Sequence, residues 1–160
     1  MTRALVIVRA LAASSLAAVS FAASSCAIDT EIGLDATIGA SSIDVRTATE
    51  GDVVAITMPV TYRVGEHAQE SHELMPQAID VFVGDILIAT ISPNRPPGFV
   101  PVVMPGQTFS TTFTGESAPG VATDSRSLCG AEASLLFRWT DASNGTVGMA
   151  ESTTSAITCD

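Results

Sequence analysis

The sequence predicts an all-β protein, an antiparallel immunoglobulin-like sandwich of about seven strands behind a cleaved signal peptide. Three observations point there. Apolar and polar residues alternate in several runs, turn-forming Gly, Asn, Asp and Pro separate those runs, and no segment beyond residue 25 repeats its apolar positions with helical spacing. A chain of 160 residues suits one domain with a core of its own.

The first element is a leader over residues 1–25. Met1-Thr2-Arg3 supplies a positive start, Ala4 to Val8 is apolar, and an uncharged stretch rich in Ala, Leu and Val follows Arg9 and ends in small residues. Charged start, apolar centre and small-residue end are the parts of a secretory leader. The uninterrupted run is too short to span about 30 Å of hydrocarbon comfortably. At its end, Ala23-Ser24-Ser25-Cys26 resembles the lipobox of bacterial lipoprotein precursors, in which small residues precede a Cys that receives diacylglycerol. It departs from that pattern three positions before the Cys, where Leu is usual and Ala23 stands here. The resemblance implies cleavage before Cys26, palmitate-type acylation of Cys26 and attachment to membrane lipid at the cell envelope. The alternative is cleavage after Ala27, which would release a secreted or periplasmic domain beginning at Ile28.

Residues 26–41 then read as a tether, with room for a first strand at its end, and residues 42–160 as the β domain. Between Asp52 and Val64 every even position is apolar (Val54, Ile56, Met58, Val60, Tyr62, Val64), whereas Thr57, Thr61 and Arg63 take the odd face. Pro59, on the odd face, cannot donate to a ladder and predicts a bulge or an open edge. Ile79, Val81 and Val83, then Gly84-Asp85, then Ile86 and Ile88 read as a hairpin with a tight turn. Phe109, Thr111 and Phe113 share one side of a strand over residues 107–114. Ala131, Ala133, Leu135, Phe137 and Trp139 share another, and residues 147–154 complete the set.

The cysteines can be paired from this register. A three-residue loop at Ser143-Asn144-Gly145, with Gly145 left-handed, pairs 142 with 146, so that paired numbers sum to 288. Cys129 and Cys159 also sum to 288. They are expected to face each other on the core-directed side and to form a disulfide, the other possibility being two free buried thiols. Of the three cysteines, Cys26 is then the odd one, to be lipidated or cut away.

Without the leader the chain carries five arginines against seventeen acids, a net charge of −12. Such a domain repels phosphate backbones and anionic headgroups, so nucleic acid is excluded as a partner and a basic membrane patch is absent. The one dense polar cluster, residues 65–75, holds both histidines; His67, His72 and Met75 form a conceivable copper-type metal site, with a solvated loop as the plainer reading. A blue-copper centre is excluded because no His follows Cys129. Ser117, in Gly-Glu-Ser-Ala-Pro-Gly, misses a nucleophile elbow by one residue and reads as a turn residue. The segment 93–106 sets five prolines beside Arg95, Phe99, Val100, Val102, Val103 and Met104. It suits either an interaction loop or an apolar cap on the open end of the fold. Asn144-Gly145-Thr146 matches a glycosylation sequon, but serves here as a turn. The sequence thus predicts a lipid-anchored, non-catalytic binding or structural module for an unidentified envelope partner, without cofactor; the alternative is a secreted metal-binding domain.

Overall fold

The computed structural model describes residues 33–120 and 125–159. The leader, Cys26 and the first part of the tether lie outside the described residues. Ten strands follow in order: β1 (Leu34–Ile38), β2 (Ser42–Ala48), β3 (Gly51–Val64), β4 (His72–Val83), β5 (Ile86–Ile91), β6 (Val102–Val103), β7 (Thr108–Glu116), β8 (Glu132–Asp141), β9 (Val147–Glu151) and β10 (Ser155–Cys159). A single 3-10 turn, Ser125–Leu128, precedes β8, and no α-helix occurs among the described residues. The count exceeds the seven expected because β1, at the end of the tether where a first strand had room, adds to the set, and because the two-residue β6 and a division of the C-terminal run into β9 and β10 were not separately legible.

The strands form one mostly antiparallel hydrogen-bonded path. β3 is flanked by β7 on one side and by β1 and β2, end to end, on the other. β4 is flanked by β8 on one side and by β5 and β6 on the other. β10 joins the two groups, running parallel to β2 and antiparallel to β8. Their inner faces share one core. The even positions of β3 are buried from Val54 to Val64, and Ala133, Leu135, Phe137 and Trp139 of β8 are buried opposite them. Phe113 of β7 meets Phe137 of β8 with ring centroids 5.4 Å apart, and Phe137 stacks on Trp139 at the same distance. At about 1.5–3 kcal/mol for each fully buried large side chain, this shared core is the main favourable contribution to folding.

Pro59 sits where its missing donor costs least. Its carbonyl accepts from Gly39 N at 2.8 Å, so its nitrogen faces the same edge. That edge is the break between β1 and β2, the local opening that the proline predicted. The sheet begins at Leu34 rather than at residue 42: Ala36 is buried and the whole of β1 pairs with β3, so the end of the expected tether is a strand.

The Cys129–Cys159 disulfide is present, with Cα atoms 5.7 Å apart. Its register arises from two offsets that cancel. The hairpin loop is four residues, 142–145, closed by hydrogen bonds from Gly145 N to Asp141 O and from Asp141 N to Thr146 O. Trp139 therefore pairs with Gly148, and numbers sum to 287 along β9. One extra residue between Ser152 and Ser155 restores 288, where Ser155 pairs with Ala133. The face expected for the bridge is corrected: both cysteines are exposed. Ile157 is the last core residue of β10, and Cys159 keeps its parity but lies beyond the rim of the core.

Candidate functional site

Antiparallel pairing brings three loops and the start of β1 to one end of the domain. Leu34 pairs with Val64, and Val64 exchanges hydrogen bonds with Gln107 O and Gly106 N. Gln107 N in turn reaches Met104 O at 3.0 Å. β6 adds Val103 opposite His72 and Val102 opposite Glu73, and Ala142 N binds Glu73 O at 2.8 Å. Residues 65–71, 100–107 and 142–145 therefore surround the point at which the chain enters the sheet, whereas the start of the proline-rich segment crosses β7 further down, Asn94 N donating to Thr114 O at 2.7 Å. The turn at Gly84 and the disulfide lie at the other end.

The proline-rich segment divides by parity. Phe99 packs on the core, 6.0 Å from Tyr62 and 5.5 Å from Phe113, and Val103 is fully buried. The Tyr62 hydroxyl donates to Val100 O at 2.7 Å and fixes the loop from below. The side chains of Val100, Val102 and Met104 turn outward and are 40%, 46% and 58% exposed, and Arg95 is exposed as well. Two side chains of this segment thus close the core, and three are turned outward.

Beside this loop is a polar cluster centred on a carboxylate that sequence reasoning missed. Asp141 is 3% exposed. Its Oδ2 lies 2.5 Å from His72 Nδ1, and its Oδ1 accepts from Ser143 Oγ at 2.6 Å and from the backbone N–H groups of Glu73 and Ser143 at 3.1 Å. Burial pushes this carboxyl up, but the hydrogen bonds from Ser143, His72 and the backbone outweigh it, and the group ends below its ordinary value of 3.8. The signal was present: Asp141 continues the odd positions of β8 inward, and a charge on a core-directed position requires partners.

These groups do not make a nucleophilic triad. Ser143 Oγ approaches the same ring nitrogen, His72 Nδ1, that Asp141 occupies, at 3.5 Å. In a catalytic arrangement the hydroxyl would meet the opposite nitrogen. The cluster ties β4 to the β8–β9 loop. Ser117 is also committed structurally, since its buried hydroxyl accepts from Val54 N at 3.0 Å and donates to Ala118 O.

His67, Met75 and His72 do not converge as expected. His67 and His72, with Gln69 and Glu70, line a cavity of about 270 Å³. Met75 lies elsewhere because residue 72 already begins β4, and alternation places His72 with buried Leu74 on one face and Met75 on the other. Among the described residues no three of His, Cys, Asp and Glu are grouped to hold a metal ion. A second cavity, of about 400 Å³, lies against the outer face of β3 and β7, where Arg46 and Glu116 form an exposed ion pair at 3.3 Å. On the outer face of the other strand group, Asp80 takes hydrogen bonds from Thr90 and Arg138 at 2.7 and 3.1 Å.

No family model matches the chain, and no curated protein or solved structure matches it.

Proposed function

We propose that the chain is the precursor of a bacterial-type lipoprotein: residues 1–25 are a signal peptide, Cys26 carries the acyl chains, and the β domain is an immunoglobulin-like sandwich acting without catalysis as a binding or structural module at the cell envelope. The observation that carries this reading is cysteine accounting. Of three cysteines, two are bridged to each other, which leaves Cys26, directly behind a leader and three small residues, as the thiol without a partner cysteine. Acylation gives it a role, and two or more acyl chains at about 0.8 kcal/mol per buried methylene make the anchor stable. The sandwich assignment is supported by the ring contacts between β7 and β8 and by the core that both strand groups share. The acidic balance supports a partner other than nucleic acid. The test is Cys26→Ser in a bacterial host: the wild type is expected in the membrane fraction and the variant in the soluble fraction, and an unchanged distribution refutes the anchor.

A second reading, a secreted metal-binding domain, is favoured by one observation. Asp141 holds Nδ1 of His72, as carboxylates do behind metal-ligating imidazoles, and His67 lines the same cavity. Copper titration of the wild type against His67→Ala and His72→Ala decides it, and an affinity unaffected by both substitutions removes the metal site.

A further inference from the structure

Gly33, where the described fold begins, is seven residue steps from Cys26, and at most about 3.6 Å per step limits the reach to about 25 Å. The domain is longer than that, since the twelve residues of β4 alone extend about 35–40 Å. An anchor at Cys26 therefore holds the entry end near the lipid, while the far end, with the Gly84 turn, reaches it only if the domain lies flat. The entry end is also where Val100, Val102 and Met104 are exposed on a loop fixed from below by Phe99, Val103 and the Tyr62 hydroxyl. Leu34, Val64 and Gln107 lie in one row across the sheet; at about 4.8 Å per strand, the chain entry and the base of this loop are about 10 Å apart.

We propose that Val100, Val102 and Met104 form a docking surface for the lipid bilayer, so that the lipidated domain stands on its entry end with these side chains in the headgroup region. This rests on acylation of Cys26 and adds to it an orientation and a second contact. The contact is apolar rather than electrostatic: Glu66 and Glu70 are exposed at the same end, so the surface suits zwitterionic headgroups better than anionic ones. Three such side chains bind weakly by themselves, but a short tether raises their effective concentration at the surface and converts the contact into an intramolecular event. The consequence for function is that the polar cavity beside His67 faces the lipid, and the far end and the outer faces of the strands are left to meet other molecules.

The test uses the mature chain coupled through the Cys26 thiol to a maleimide lipid in phosphatidylcholine vesicles, which supplies the anchor whether or not a cell attaches one. Reporters are Val102→Trp and Met104→Trp at the entry end and Ile86→Trp at the far end, with buried Trp139 as a common background. Brominated acyl chains are expected to lower the fluorescence of both entry-end reporters about twofold and to leave the Ile86→Trp reporter unchanged. Equal quenching at both ends, or none at the entry end, overturns the docking surface. So does a concentration-dependent change of the entry-end reporters without vesicles, which would assign the surface to a second copy of the chain. Absence of acyl groups on protein from cells would instead refute the reading beneath it, and is read separately by mass.

Discussion

Replacing Cys129 and Cys159 together by Ser should reveal how much the exposed bridge contributes. It closes a separation of 30 residues, for which the chain-entropy relation gives about 3.5 kcal/mol at 25 °C, because the open unfolded chain gains that much freedom. Little else should change: both side chains are exposed, and Ile157 keeps its hydrogen bonds, its N donating to Ala131 O and its O accepting from Gly130 N. Urea unfolding read through Trp139, the single tryptophan and a buried one, should show a midpoint lower by about 1.5–2.5 M, with a slope that steepens as the uncrosslinked unfolded chain exposes more surface. The melting temperature should fall by about 10–15 °C. Because the bridge lies outside the core, a mild thiol reductant should open it in the folded protein and produce the same shift. A loss below about 1 kcal/mol would refute the reasoning, and would mean that β10 is held by its pairing with β2 and β8 alone.

Two further perturbations follow. A Cβ on Gly148 would lie 2.2 Å from the Trp139 ring, so Gly148→Ala should cost about 1–3 kcal/mol by forcing that ring off its seat against Phe137; a neutral result in thermal unfolding would contradict the packing described. Asp141→Ala should cost about 2–4 kcal/mol, since it strands the N–H groups of Glu73 and Ser143 and the ring of His72. The pH dependence has a defined sign. Because the folded carboxyl of Asp141 titrates below its ordinary 3.8, its contribution is present above that value and is lost as pH falls through the lower, folded one. Asp141→Asn should therefore flatten the loss of stability measured between pH 5 and the acid limit, and parallel wild-type and variant curves would exclude this role.

Strand positions and inward faces were legible because period two is a local signal, and the parity of β3 and of β8 fixed both sides of the core. The disulfide was legible by count, and its register by a sum that survived a wrong loop length only because a bulge offset it. What escaped notice is non-local. Nothing in residues 42–48 or 155–159 announces a parallel pair, since that contact depends on how the rest of the sheet closes. The first half of β4 was read as loop because Pro76 and the charges around it hide the alternation of His72 with Leu74, and the same error placed Met75 beside the histidines. Asp141 went unremarked although its inward parity marked it, because the partners that make its burial tolerable come from strands and loops distant in sequence.

The most direct test of the central claim is the intact mass of the mature protein from a bacterial host, measured before and after reduction. The account predicts residues 26–160 plus acyl chains, with a gain of two hydrogens on reduction as the Cys129–Cys159 bridge opens. An unmodified chain beginning at Ile28 would contradict it and make this a freely secreted domain.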